Sequence, residues 1–341
     1  MEVSKAKKYT YFIGIDISRN ELDFAVMQGN KFLFHREIKN ESSEINAIID
    51  SLKKLPKFVM SRAVFGLENT GIYGNHLLNC LKRVKTNIVN ENALHIRNSL
   101  GNIRGKYDKI DAIRIAQYLY KNRDELNIWK PKRPIVQQLA HLSTLRNRIM
   151  TLEKALVTPL KEDTNFVQKK IVAQSKKLIK NSSDALLADF AAIDAFIFEL
   201  INSDTNLKRM FGIITSVPSV GPVTALQIII TTNEFQDIRN PKKFACYAGV
   251  APFKRDSGLI EGKAKISNMA NKRVKALLHT CALSAVRHDP ELKAYYERKT
   301  KTDGKPKMAV LNAVRNKIVL RIFACLNQDR CFERNYQRQA M

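Results

Sequence analysis

No glycine occurs between Lys106 and Phe211, and inside that stretch the apolar residues adopt a new period. Ile135, Leu139, Leu142, Leu145, Ile149, Leu152 and Leu156 recur at steps of three or four. This spacing lines one narrow stripe of a helix, as in a coiled-coil seam. A long glycine-free run with such a stripe is a stiff helical spacer, so whatever flanks it folds separately. Pro159 is expected to end or kink this helix. A second helical segment, from about Phe166 to Leu200 with a break at Asn181-Ser182-Ser183, can return against it. The stripe serves equally well as the inside of a helical hairpin or as a seam between two copies of the chain.

Before the spacer the period is two. YTYFIGIDIS, ELDFAVMQ and KFLFHREI read as three short strands, the last two joined across Gly29-Asn30. A helix with Ile45, Ile48, Ile49 and Leu52 on one face follows. Next come a strand AVFGLE ending at Glu68, a helix near Tyr73–Leu81, a short strand NIV, and a helix from about Lys109 to Tyr120. A three-stranded antiparallel meander followed by alternating helix and strand is the order of an RNase H-like α/β domain. After Gly212 come SVPSVGPVTALQIII, a turn-rich block with Gly249, Pro252, Gly258 and Gly262, and helices over about Asn271–Val286 and Met308–Leu326. The expected fold class is α/β plus all-α. Its expected domains are an α/β domain over 1–130, a coiled-coil helical spacer over 131–210, and a helical domain over 211–341.

Charge narrows the partner. The chain has 341 residues, 58 Lys plus Arg against 32 Asp plus Glu, and a formal net charge of +26. Its hydrophobic content of 45% is enough for real cores, which excludes a disordered basic tail. The positive excess is 8 over residues 1–130, 5 over 131–210 and 13 over 211–341. Such an excess repels itself unless a polyanion neutralises it, and nucleic acid fits better than an anionic membrane surface. Five cysteines without a CxxC pair indicate neither a disulfide framework nor a zinc site. The N-terminus lacks the apolar core of a signal peptide, and no apolar run is long enough to span a bilayer. The expected location is the cytoplasm, with no membrane partner.

Asp16, in GIDIS, ends the first strand, and Glu68, in GLENTG, ends another. Asp108 and Asp111, in YDKIDA, stand three apart at a helix start and share one face of it. Taken singly, Asp108 is also a good helix cap and Asp16 a turn residue. Converging in one cleft, four carboxylates need a cation, and oxygen-only ligands suit Mg²⁺ or Mn²⁺. A two-metal arrangement would stabilise both the attacking and the leaving oxygen of a phosphodiester. The GID strand also opens the ATPase folds of sugar kinases and actin-like proteins, but the sequence offers no convincing second glycine-rich phosphate loop with a later aspartate.

Two features in the last third bear on DNA. SVPSVGPVTA has the form of a helix-hairpin-helix turning at Val220-Gly221-Pro222, whose second helix would offer backbone N–H groups to a phosphate without reading sequence. In APFKRDSGLIEGK, Ser257 precedes Gly258 among Lys254, Arg255 and Lys263. A serine in a cationic loop can attack a phosphodiester while the cations hold the nonbridging oxygens, although Ser-Gly is also an ordinary turn sequence. Lys272 and Arg273 extend the same basic stretch, and the six histidines are scattered.

In order, GIDIS, LENTGIYG, YDKIDA, a helical insertion, SVPSVGPVTA and YAGVAPFKRDSG resemble the insertion-sequence-110 family of transposases, bridge-RNA-guided recombinases related to the pilin-gene DNA invertases. The likeness runs from about Tyr11 to Leu326, with Val250 where many relatives carry leucine. It implies a RuvC-like DEDD domain, a coiled-coil insertion and a C-terminal transposase domain. By motif, Asp16, Glu68, Asp108 and Asp111 would hold metal and Ser257 would be the nucleophile, forming a covalent phosphoserine intermediate in a composite site between subunits. A noncoding guide RNA would choose the target and donor DNA. The resemblance also implies a homodimer or homotetramer in the bacterial cytoplasm, associated with the nucleoid. Two other readings of the residues stand beside it: a junction-resolvase-like metal nuclease acting by hydrolysis, and a noncatalytic nucleic-acid-binding protein.

Overall fold

In a computed structural model describing residues 9–68, 71–100, 108–253, 265–266 and 270–334, the chain divides into two units, Met1–Pro131 and Lys132–Met341. The first is built on strands β1 (Tyr11–Ile17), β2 (Glu21–Gln28), β3 (Lys31–Lys39), β4 (Ala63–Glu68) and β5 (Asn87–Glu91), in the order β3-β2-β1-β4-β5. The meander β1-β2-β3 is antiparallel, while β4 runs parallel to β1 and β5 parallel to β4. This is the arrangement expected from the strand order.

Alternation along the strands decides which helix covers which face. Tyr11, Ile13, Ile15 and Ile17 pack with Ile45, Ile48, Ile49 and Leu52 of α1 (Ser42–Lys53) and Leu77 of α2 (Asn75–Arg83). The intervening Phe12 packs on the other face with Ala112, Ala116 and Leu119 of α4 (Asp108–Lys121). Here the backbones nearly touch. A Cβ on Gly14 would lie 2.1 Å from the Ala112 carbonyl oxygen and 2.3 Å from the Ala116 nitrogen. A short helix that the sequence pattern did not reveal, α3 (Ala93–Leu100), precedes α4, and Asn92 Oδ1 accepts from the Leu94 N–H at its start.

In the second unit α5 (Pro134–Glu162) and α6 (Lys169–Ser203) pack along one another as an intramolecular hairpin. Two expectations about them fail. Pro159 lies inside α5, which runs on to Glu162; so near the C-terminus, a missing N–H disturbs little of the ladder that precedes it. Asn181-Ser182-Ser183 does not break α6, a single helix of 35 residues, because the modest helix deficit of Asn and Ser is outweighed by their surroundings. Cover is fullest at the base of the hairpin, although Ile149 and Val172 farther out are also buried. Leu139 is fully buried and Ile201 nearly so, whereas Leu152 and Leu178 are 57% and 77% exposed.

That base shares one core with α7 (Thr205–Ser216), α8 (Pro222–Thr232), α9 (Pro241–Tyr247), α10 (Lys272–His288), α11 (Pro290–Glu297) and α12 (Lys307–Asn327). Arg133, just before α5, donates to Asp204 at 2.6 Å and to the buried carboxylate of Glu234 at 2.5 Å. Asp204 also caps α7 by accepting from Leu207 N–H. Glu234 sits in an unusual turn where Asn233, Glu234 and Phe235 are successively left-handed, with φ of 50°, 56° and 62°. No described helix is long and apolar enough to cross a membrane.

The β1–α4 contact has a direct test. Gly14→Ala should destabilise the first unit by about 3 kcal/mol, the upper end of ordinary overpacking, because its methyl meets backbone. Urea denaturation followed by circular dichroism measures it; a change below roughly 0.5 kcal/mol, the scale of inconsequential surface substitutions, would show that α4 is free to shift.

Candidate metal centre and nucleic-acid elements

Asp16 and Glu68 occupy the C-terminal ends of β1 and β4, neighbouring parallel strands, and α4 starts with Asp108 and Asp111. The periodicity that sends Phe12 toward α4 places Asp16 on the same face. On β4, Val64 faces α4 and Glu68 follows at the same parity. The sheet edge and the helix start therefore present their carboxylates to one another.

Their charges bear on Asp16 and Glu68. Burial pushes the Asp16 carboxyl up to about 6, and the charges of Asp111, Asp108 and Glu68 add to the rise against one backbone hydrogen bond at Ile17. Glu68 is raised by burial and then by Asp111. Among the described residues no three acidic, histidine or cysteine side chains already close around one point as ligands. Asp111 is engaged by Arg114 one turn along, at 2.6 Å. The donor set is all oxygen, anionic and mutually repelling, the chemistry that a hard divalent cation relieves.

Sequence reasoning missed two neighbouring groups whose signal lay in strand register. Glu91 is the partner of Glu68 across β4 and β5, but its carboxylate accepts from the Tyr118 hydroxyl at 3.2 Å and lies 3.0 Å from His95 Nδ1. Burial, followed by Glu91, pushes the Tyr118 hydroxyl up to about 12. Asp23 is the partner of Asp16 across β1 and β2; it is buried, with its Oδ1 2.6 Å from His35 Nε2.

In the second unit, Gly221 is the exposed N-cap of α8, after a turn from α7, and Pro222 is the first helical residue. Thr224 Oγ1, in the first turn of α8, lies 3.4 Å from Cys281 Sγ of α10. Lys272 is exposed at the start of α10, whose cap Asn271 accepts from Val274 N–H at 3.0 Å. Arg273 instead donates to the Ser143 carbonyl and hydroxyl on α5, at 3.2 and 2.8 Å. Burial and nearby Arg146 hold its guanidinium below the usual range. Lys254, Arg255, Ser257 and Lys263 lie outside the described residues. The chain leading to them is anchored at Val250, whose carbonyl accepts from Asn312 Nδ2 at 2.6 Å.

Comparisons with known proteins agree with both halves. A family model described as "Transposase", of the DEDD type, matches residues 13–162. Another, described as "Transposase IS116/IS110/IS902 family", matches residues 212–297. The chain is 25% identical over 335 residues to a pilin gene-inverting protein of Moraxella lacunata, covering 95% of this chain and 98% of that one. It is 32% identical over 122 residues to an uncharacterized 42 kDa protein of insertion element IS900 from Mycobacterium paratuberculosis, covering 36% of this chain and 29% of that one. A mixed sheet edged with carboxylates, followed by a helical region, is compatible with an RNase H-like DEDD domain in an enzyme of DNA recombination. The chain belongs to the IS110 family of transposases.

Asp16 sets the pH response of the metal-free protein. Its folded pKa of about 6 exceeds the ordinary 3.8, so the folded state holds the proton more tightly and stability falls as pH rises from about 4 to 6. Asp16→Asn should shrink that fall, leaving the part that the raised Glu68 contributes, and make the variant more stable at pH 7 by on the order of 1 kcal/mol, after discounting for solvent screening. Urea midpoints in EDTA at pH 4 and 7 test this; equal pH dependence in both proteins would contradict it.

Proposed function

We propose that the chain excises and inserts its own mobile element, using Ser257 as nucleophile and Asp16, Glu68, Asp108 and Asp111 as a metal-binding set. The observation that carries this reading is the placement of Asp16 and Glu68 at the C-terminal ends of neighbouring parallel strands, with Asp108 and Asp111 in the first turn of the helix pressed onto that sheet. Bound Mg²⁺, or Mn²⁺, supplies Lewis-acid stabilisation of charge on phosphodiester oxygens. Ser257 Oγ attacks phosphorus, the bond to one strand's bridging oxygen breaks, and that oxygen leaves as a protonated hydroxyl. A hydroxyl of the exchanged strand then attacks the phosphoserine, rejoining DNA and restoring the serine. Lys254, Arg255 and Lys263 neutralise the nonbridging oxygens. The exposed Gly221 and Lys272 contact the duplex backbone without reading its sequence, beside Arg273, whose guanidinium donates to Ser143.

Sequence choice lies with a noncoding guide RNA, in keeping with basic charge spread over the whole chain. The protein works in the bacterial cytoplasm at the nucleoid, as a dimer or tetramer. The exposed Leu152 and Leu178 of the hairpin support that assembly. Replacing both Leu152 and Leu178 by Glu should reduce the assembly to monomers in mass photometry while circular dichroism stays unchanged; an unaltered assembly mass would place the interface elsewhere.

The chemistry is tested on a denaturing gel, with protein, the RNA from its flanking sequence, Mg²⁺ and end-labelled donor DNA. Wild type should give a covalent protein–DNA band, and Ser257→Ala none. Free DNA ends without an adduct would instead establish hydrolysis by the carboxylate set. Salt-sensitive binding without cleavage, unchanged by Asp16→Ala, would leave a noncatalytic binding protein.

A further inference from the structure

One side chain ties together the two strand ends that carry carboxylates. Asn40 follows β3, and its backbone N–H donates to the Asn20 carbonyl in the β1–β2 turn at 2.8 Å. Its side-chain Nδ2 donates to the Ser18 carbonyl at 3.1 Å, two residues beyond Asp16. The same nitrogen donates to the Tyr73 carbonyl at 3.0 Å, five residues beyond Glu68. The β1–β2 turn is otherwise closed on itself, through Ser18 and Glu21. Asn40 thereby joins this turn to the turn after β4. A modest apolar contact lies beside them, where a Cβ on Gly74 would stand 3.5 Å from Ile17 Cδ1.

We infer that Asn40 is a positioning residue for the metal centre, fixing the separation of Asp16 and Glu68 by donating to both chain turns that follow them. The inference rests on the metal-binding reading above. Like charges at two strand ends push those ends apart, and backbone carbonyls can be held only by a donor. A carboxamide suits this place because its NH₂ carries two donors and no charge. Alanine removes the bridge, and aspartate would set an acceptor against two acceptors. Partners outside the first coordination shell ordinarily govern metal affinity by 10–100-fold.

A matched control exists at the other end of the sheet. Asn87 Nδ2 donates to the Ser61 and Ala63 carbonyls at 3.1 and 2.9 Å, where β4 begins. This is the same kind of staple, from β5 to the start of β4, at the opposite end of β4 from Glu68. Asn40→Ala and Asn87→Ala should both lower the melting temperature. Only Asn40→Ala should weaken Mn²⁺ binding to the full-length protein, by about 10-fold or more, as read by titration calorimetry and by the electron paramagnetic resonance of free Mn²⁺. Unchanged Mn²⁺ affinity in folded Asn40→Ala, or an equal loss in Asn87→Ala, would overturn the positioning role while wild-type binding upheld the metal centre. Wild-type protein that bound no Mn²⁺, or bound it as well after Asp16→Ala, would overturn the metal centre and this inference together.

Discussion

The first unit depends on backbone meeting backbone where α4 crosses β1. With Ala112 and Ala116 against Gly14, the helix sits closer to the sheet than any side chain on that strand residue would permit. Closeness costs interior volume for packing, and the unit recovers it alongside, with Phe12 on the same strand and Leu119 further along the helix filling the space on the α4 face. What it achieves is placement. A helix pressed onto the sheet brings Asp108 and Asp111, in its first turn, to the level at which the parallel strands release Asp16 and Glu68.

That placement sets like charge against like charge, and the protein tempers the conflict without removing it. Arg114 neutralises Asp111. Glu91 and Asp23, which register would add to the crowd, are drawn aside by Tyr118 with His95 and by His35. Asp16 and Glu68 retain raised proton affinity. A sheet edge kept short of neutral is poised for a cation, and the positive excess elsewhere in the chain keeps polyanionic nucleic acid attracted despite the local negative cluster.

Much of this was legible in the sequence, because period and charge are local signals. Alternation in YFIGIDI fixed both the strand and the face of Asp16, and Ile45, Ile48, Ile49 and Leu52 marked the buried side of α1. Register was not legible: nothing in the string NIVNE tells that Glu91 faces Glu68. The helix α3 escaped because its apolar residues keep no clear stripe, and the uninterrupted α6 because single weak helix formers do not decide a long helix. Arg273 looked like a phosphate contact by composition, yet tertiary packing gave it to Ser143.

The left-handed turn at Asn233–Phe235 carries a consequence for how the second unit assembles. Three successive residues in a sparsely populated region are unfavourable in an isolated chain, and local bonds act against that cost, with Phe235 N–H donating to Thr232 Oγ1 and Glu234 N–H to the Ile229 carbonyl. A further restraint arrives from Arg133, 101 residues earlier than Glu234, and the chain between them includes the whole α5–α6 hairpin. Closing so long a loop precedes any reward from the contact. Packing of α5 along α6 shortens that separation, so the Arg133 junction is coupled to closure of the hairpin as well as to the turn it holds.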